Sequence, residues 1–141
     1  MQLTSKKEVL VRFNEVDSML IVWHGNYVKY LEDGREDFGK KYGIGYLQVK
    51  EDGYGLPIVD MNIKYKKSLC YGDSVIVETS FVKTDAAKVI FKYRLISPTT
   101  SEVLCTATTT QVFVDTKGNL QMIDPPSFRD WKDKWLNPEI L

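Results

Sequence analysis

Hydrophobic and polar positions follow two different periods along this chain, and the changes of period divide it into elements. Val9, Val11 and Phe13 alternate with polar residues, which predicts a half-buried strand that stops before Glu15. From Asn26 the apolar positions recur every three or four residues, which predicts an amphipathic helix over about residues 26–42. Its apolar face comprises Tyr27, Leu31, Gly34, Phe38 and Tyr42, and its solvated face comprises Lys29, Glu32, Asp33, Glu36 and Lys40.

The apolar face of this helix contains a glycine, which is a poor helix former. Gly34 costs about 1 kcal/mol of helix propensity relative to alanine. We therefore expect the helix backbone to approach a neighbouring element closely at this position.

The period of two returns in the second half of the chain. Four strands are predicted at about residues 59–65, 75–81, 89–95 and 103–114, with turn-forming residues between them. A short C-terminal helix is predicted after a Ser127 N-cap, with Phe128, Trp131 and Trp135 as its apolar stripe. The connections are too short for crossover helices, so successive strands should be antiparallel neighbours. The fold class is predicted to be α+β, with a curved antiparallel sheet around one long helix in a single domain over residues 1–141.

Composition and charge narrow the possible functions. The chain has 141 residues, of which 43% are hydrophobic and 27% charged, as expected for one globular domain with its own core. Its 19 basic and 19 acidic residues give a formal charge of zero, which argues against a dedicated nucleic-acid-binding protein. An anionic small ligand would need a local basic patch.

The cysteines and the N-terminal sequence predict a reducing, cytoplasmic setting. Cys70 and Cys105 have no metal-ligand spacing, so no metal site is predicted, and a disulfide between them is the alternative to two free thiols. The sequence contains no signal-peptide pattern, and its longest apolar run is far too short to span a membrane.

Candidate chemistry is concentrated between the first strand and the long helix. Asp17 lies in this segment, as do His24, which is the only histidine, and Gly25. Free N–H groups and the helix dipole favour an anion at a helix start, and acyl transfer needs such a site beside a carboxylate. From the residues alone, structural roles are the simpler interpretation: Asp17 as a turn residue, and His24 as a side chain bonded to the backbone.

This segment also carries a family resemblance. The residues RFNEVDSMLIVWHGNY at positions 12–27 resemble the hot-dog-fold acyl-CoA thioesterases of the 4-hydroxybenzoyl-CoA thioesterase and YbgC type. The resemblance continues in LPIVDMNIKY at 56–65, YGDSV at 71–75 and TQVFVD at 110–115, and so covers nearly the whole chain. The spacing from Asp17 to Asn26 and Tyr27 is its most specific part. The hot-dog fold that it implies agrees with the order of elements predicted above.

The resemblance implies hydrolysis of an acyl-CoA thioester to a free acid and CoA. Asp17 falls on the family's catalytic carboxylate, which attacks the thioester or activates a water. His24 and Gly25 fall where backbone N–H groups polarise the thioester oxygen, and His24 could also donate a proton to the leaving thiolate. No cofactor is implied, because coenzyme A is part of the substrate.

The resemblance further implies an active site between two subunits, and therefore a homodimer or homotetramer. Residues 55–59 lie where the partner chain contributes to the pocket, which makes Gly55, Pro57 and Val59 substrate-binding candidates together with Tyr27. Lys88 is the first candidate for the CoA phosphates. Further candidates for these phosphates are Lys64, Lys66, Lys67 and Arg94.

One position departs from the family pattern. Leu20 stands where the family usually has glycine, and if that glycine serves a positive φ, leucine costs about 1 kcal/mol or more there. The course of the loop is therefore open at this stage. Two alternative functions also stay open: an acyl-carrier-protein thioesterase, and a non-catalytic acyl-CoA-binding protein.

Overall fold

The computed structural model describes residues 2–136 and contains a five-stranded antiparallel sheet with one long helix and two short ones. The elements in chain order are β1 (Thr4–Leu10), α1 (Tyr27–Tyr42), α2 (Tyr46–Glu51), β2 (Ile58–Tyr65), β3 (Ser74–Val82), β4 (Lys88–Ile96), β5 (Val103–Val112) and α3 (Pro126–Leu136). The predicted α+β class, the long helix and the four later strands are confirmed. The helix α2 was not predicted, because six residues are too few to establish a helical period.

The sheet has one face covered by α1 and one face open. Its strand order is β1-β3-β4-β5-β2, and every neighbouring pair is antiparallel. Buried and less buried residues alternate along β4 and through most of β3 and β5, so one face forms the core. The helix packs most closely on β1 and β3.

The placement of β2 corrects the prediction that successive strands are neighbours. β2 does not pair with β3; it lies at the opposite edge and pairs with β5. Residues 66–73 make this long connection, and they bond to the loop before α1 through Val22 N–H to Leu69 O at 2.8 Å. A connection without a helix is therefore not always a hairpin, because loop residues can find backbone partners elsewhere.

The helix α1 buries the predicted face and exposes the predicted polar face. Tyr27, Leu31, Gly34 and Phe38 are buried, and Tyr42 is half-buried. A Cβ at Gly34 would overlap Thr79 Oγ1 and lie 2.7 Å from Val77 Cγ1 on β3. The predicted close approach at this glycine is confirmed.

The first strand ends earlier than predicted. β1 stops at Leu10, and Phe13 lies on an exposed 3-10 turn, Phe13–Glu15, instead of a buried strand face. The Glu15 carboxylate accepts the Arg12 N–H at 2.8 Å and so turns the chain out of the sheet. The alternation of apolar and polar residues therefore continues past the end of the strand to Phe13.

The end of β5 and the start of α3 differ slightly from their predicted positions. β5 ends at Val112, and Val114 forms isolated bridges to Gly55 and Leu120 instead of extending the strand. Ser127 lies inside α3, which begins at Pro126, so the predicted N-cap is wrong. Proline suits a first helical position because the missing N–H has no partner there.

The helix α3 closes the far end of the core with the predicted stripe. Phe128 and Trp131 are buried, and the Trp131 indole N–H donates to Tyr42 O at the end of α1. Within residues 2–136, no helix combines the length and apolar character needed to cross a membrane.

Candidate active site

Asp17 lies on a tight turn that presents its carboxylate to solvent. The Asp17 N–H donates to Ile21 O at 2.8 Å, and its Oδ1 accepts the Met19 N–H at 2.8 Å and the Ile21 N–H at 3.4 Å. Among residues 2–136, no hydrogen bond engages its second oxygen, Oδ2. Two backbone donors thus hold one carboxylate oxygen and leave the other available to a reacting group.

Leu20 adopts the conformation that a glycine would favour in this turn. Its φ is +62°, and its N–H donates to Asp17 O at 2.9 Å. The loop therefore keeps its left-handed residue although the side chain is branched. Because φ is positive here, the strain expected for a leucine at this position applies, and the turn around Asp17 still forms.

A buried carboxylate that sequence reasoning missed anchors this loop. Glu15 is only 5% exposed, and besides Arg12 N–H its Oε1 accepts the Tyr30 hydroxyl of α1 at 3.1 Å. Its backbone oxygen accepts the Trp23 N–H and the Asn26 side-chain amide. Glu15 thus ties both ends of the Asp17 loop to the start of α1, and the Asn26 side chain is part of this anchoring.

The helix start leaves two backbone donors without acceptors. A 3-10 turn, His24–Asn26, leads directly into α1, and no acceptor among the described residues bonds the N–H of His24 or Gly25. The His24 carbonyl accepts the Tyr65 hydroxyl at 2.9 Å and is thereby fixed to the end of β2. These two N–H groups can therefore receive an oxyanion.

The side chains around this helix start are aromatic. His24 is exposed, with its ring 4.8 Å from that of Trp23 and 6.5 Å from that of Tyr65. A Cβ at Gly25 would overlap the Trp23 indole, so glycine is needed for this packing. Tyr27 is buried edge-on against Tyr65 at 4.8 Å, and burial raises the pKa of its hydroxyl. Tyr27 is therefore a neutral wall residue.

The second group of predicted residues lies on the segment before β2. Gly55 exchanges two backbone hydrogen bonds with Val114, at 2.8 and 3.0 Å, and Pro57 O accepts the Val112 N–H. The Gln111 side-chain amide donates to Leu56 O at 3.0 Å. Val59 lies at a register shift and is 59% exposed. The segment is thus fastened to the end of β5 and exposes an apolar edge.

One chain does not bring the two groups of residues together. The loop with Asp17 and His24 lies near Tyr65, at the C-terminal end of β2. Residues 55–59 lie at the N-terminal end of the same strand. The eight residues of β2 place these ends about 23 Å apart. Lys88 pairs with Val112 and therefore lies at the end that holds residues 55–59.

The candidate phosphate-binding cations differ in how they are engaged. Arg94 forms two hydrogen bonds to Glu78, at 2.7 and 3.1 Å, which hold the pKa of that carboxyl below its usual value. Lys67 pairs with Glu102 at 2.6 Å. Within the described part of the chain, Lys64, Lys66 and Lys88 form no ion pair and remain available to an anion.

Comparison with known proteins assigns the family. The model of the thioesterase-like superfamily matches residues 11–136. YneP of Bacillus subtilis (strain 168), which is named for an inferred acyl-CoA thioesterase activity, is 35% identical over 90% of this chain and 91% of its own. The crystal structure of a DHNA-CoA thioesterase from Staphylococcus aureus has a TM-score of 0.85 and 28% identity, and the match covers 98% of this chain and 92% of that one.

These findings confirm the predicted family. The chain belongs to the thioesterase-like superfamily, and it is a thioester hydrolase with the hot-dog fold. A more distant relative is a chloroplastic acyl-acyl carrier protein thioesterase of Arabidopsis thaliana, 28% identical over 78% of this chain and 58% of its own.

Proposed function

We propose that this protein hydrolyses an acyl-CoA thioester to a carboxylic acid and CoA, with Asp17 as the reacting carboxylate. The observation that carries the proposal is the pairing of a fixed, exposed carboxylate with two free backbone N–H groups, at His24 and Gly25, on the loop that enters α1. Acyl transfer requires both of these features. The similarity to YneP supports CoA as the carrier of the acyl group.

The proposed reaction adds water across the thioester. In the general-base route, Asp17 takes a proton from water, the hydroxide oxygen bonds to the carbonyl carbon, and the His24 and Gly25 N–H groups stabilise the oxyanion. The C–S bond then breaks, and the CoA thiolate takes up a proton, for which His24 is the candidate donor. In the nucleophilic route, Asp17 itself forms an anhydride that water hydrolyses. Neither route uses a metal or a redox cofactor.

We further propose that the working site forms between two copies of the chain. β2 is an edge strand whose outer side is unpaired among the described residues, and such an edge can pair with a second copy. Twofold antiparallel pairing of β2 with β2 places the Tyr65 end of one chain beside the Ile58 end of the other. Asp17 and His24 of one copy would then face Gly55, Pro57 and Val59 of the second.

The same arrangement supplies cations for the CoA phosphates. Lys64 and Lys66 lie at the Tyr65 end of β2, and Lys88 lies at the opposite end of the sheet. Pairing of the β2 edges would therefore bring the lysines of one copy towards Lys88 of the other. A neutral chain could thus bind a polyphosphate through cations gathered from two subunits.

The test is an acyl-CoA hydrolysis assay in which a thiol reagent detects released CoA. Wild-type protein should turn over at least one member of an acyl-CoA panel, and Asp17→Ala and Asp17→Asn should lower kcat/KM by about a hundredfold or more. Asp130→Asn, an exposed aspartate on α3, is the matched control and should retain full activity. Undiminished activity of Asp17→Ala would contradict the assigned role. A reaction run in ¹⁸O-labelled water that leaves ¹⁸O in the protein would support the nucleophilic route over the general-base route.

A thioesterase acting on acyl carrier protein is the second candidate. The Arabidopsis relative named for that substrate supports it. Presenting the same acyl group on CoA and on a carrier protein separates the two, because a carrier-specific enzyme should show the higher kcat/KM on the carrier. Binding of acyl-CoA without turnover would instead support the non-catalytic alternative. The cytoplasmic location stays a prediction.

A further inference from the structure

A set of polar side chains lies on the core-facing side of the sheet, where apolar residues are expected. Thr79, Tyr93, Thr109 and Gln111 lie on three strands, and each is more than nine-tenths buried. Tyr93 and Thr109 share a hydrogen bond of 2.6 Å between their hydroxyl oxygens. Burying polar groups in a core costs free energy unless they are hydrogen-bonded, so their presence here indicates a role other than packing.

A cation of α1 joins this set. The Arg35 guanidinium is part-buried and donates through Nη1 to the Tyr93 hydroxyl at 3.3 Å. No carboxylate in residues 2–136 lies within ion-pair distance of it. A guanidinium has five N–H donors, and a half-buried one without an anion is costly to maintain. The geometry therefore fits an anion that arrives with a ligand.

A second observation also indicates an unfilled polar site. Gln111 Oε1 is buried and has no hydrogen-bond partner within the described structure; Thr79 Oγ1 also has none, but it is packed against Gly34 of α1. Gln111 Nε2 is already occupied by Leu56 O, so the polar set adjoins residues 55–59 directly. To an anion the site thus offers the Arg35 guanidinium and two hydroxyls that are already ordered, whereas the Gln111 amide oxygen can only accept a hydrogen bond from a donor.

The place of this set relates it to the acyl group. In the proposed dimer, residues 55–59 of one copy face Asp17 of the other, so an acyl group held at Asp17 extends towards the polar set of the neighbouring copy. Arg35 of that neighbouring copy donates to the Tyr93 hydroxyl and so belongs to the same polar set. We propose that Arg35 binds a carboxylate at the far end of the acyl group, which makes CoA thioesters of dicarboxylic acids the preferred substrates. This inference rests on the proposed acyl-CoA thioesterase function.

The test compares acyl groups of equal length that differ only at their far end. For wild-type protein, kcat/KM for adipoyl-CoA should exceed that for hexanoyl-CoA and for the isosteric adipamoyl-CoA by about tenfold or more, because a charge-assisted pair is at stake. The same comparison with shorter acyl groups (glutaryl-CoA and pentanoyl-CoA) and longer ones (suberyl-CoA and octanoyl-CoA) determines the preferred chain length. The wild-type comparison needs no variant and so does not depend on mutant folding.

Variants then assign the preference to one side chain. Arg35→Met should lower the adipoyl-to-hexanoyl ratio at least tenfold, mainly through KM, and Arg35→Lys should retain part of it. Arg129→Met, an exposed arginine on α3, is the control and should leave the ratio unchanged.

The outcomes separate this inference from the function on which it rests. Turnover of acyl-CoA without any preference for a terminal carboxylate, or a preference that survives Arg35→Met, overturns the Arg35 assignment alone. A preference for hydroxyl-bearing over carboxylate-bearing acyl groups overturns it as well. Absence of turnover with every acyl-CoA overturns the proposed function itself.

Discussion

At the scale of single residues, the candidate site depends on two side chains with opposite requirements. Leu20 occupies a backbone conformation that suits glycine, whereas Glu15 buries a charge that must be bonded. Both residues act on the same short loop, which holds Asp17 between them. The loop is therefore strained at one point and tightly anchored at another.

Leu20→Gly should stabilise the protein slightly. Leucine at φ +62° costs about 1–2 kcal/mol, and glycine regains this but loses about 0.5–1 kcal/mol of unfolded-state entropy. We expect the free energy of unfolding to rise by about 0.5 kcal/mol in urea titrations. Leu20→Ala keeps the strained conformation and should give no gain. A loss of stability in Leu20→Gly would show that contacts of the leucine side chain outweigh the strain.

Replacing Glu15 should cost stability and activity together. Glu15→Ala leaves the Arg12 N–H and the Tyr30 hydroxyl without their acceptor, which should lower the free energy of unfolding by about 2–4 kcal/mol. Glu15→Gln keeps an acceptor oxygen, so it should cost less and retain more activity. Tyr30→Phe removes a single bond, and its kcat with acyl-CoA should fall less than that of Glu15→Ala. Equal stability of Glu15→Ala and wild type would contradict the anchoring role.

At the scale of elements, periodicity predicted what depends on neighbouring residues in the chain and missed what depends on distant ones. The amphipathic face from Tyr27 to Phe38 is periodic, and α1 forms there. The pairing of β2 with β5 leaves no comparable pattern, because hydrogen bonds between strands involve backbone atoms that every residue has.

The same distinction applies to the candidate site. The family resemblance located Asp17, His24 and Gly25, since these residues are close in sequence. Glu15 escaped because a surface glutamate and a buried one look alike in sequence, and the acceptor role of Glu15 requires Tyr30 across the fold. The sequence pattern did not single out Arg35 either, because this residue lies at the boundary between the apolar and the polar face of α1.

Lys132 on α3 forms a largely buried ion pair with Asp124, just before the helix, and a hydrogen bond to the β3–β4 turn. Lys132 Nζ donates to Asp124 Oδ2 and Thr84 O, both at 3.0 Å, and the two charged side chains are only 12% and 15% exposed. Lys132→Met should therefore lower the free energy of unfolding by about 3 kcal/mol, because it leaves Asp124 buried and unpaired.

A double-mutant cycle checks this interpretation. Asp124→Leu combined with Lys132→Met should recover much of the loss, since neither charge then remains. Urea titrations of the wild type and the three variants supply the four free energies. Additive losses would show that the pair carries no coupling and that each residue acts through other contacts.

At the scale of the whole molecule, the proposed dimer would divide each active site between two chains. Asp17 and the two N–H groups lie at one end of β2, and residues 55–59 lie at the other. The zero net charge fits this division, because no single surface of one chain needs to collect all the cations. Activity should therefore depend on association of the chains.

Val59→Lys should separate the copies without unfolding them. Val59 is 59% exposed in the single chain, so a lysine there costs the monomer little. In the proposed pairing, however, it would lie beside the Tyr65 end of the second copy, which already carries Lys64 and Lys66. We expect light scattering to show a shift from dimer or tetramer to monomer, and acyl-CoA hydrolysis to fall at least tenfold at low protein concentration and to recover as concentration rises. Leu47→Lys, at an exposed apolar position on α2, is the control and should change neither quantity. A fully active monomer would show that one chain completes its own site, and it would remove the physical basis for placing residues 55–59 opposite Asp17.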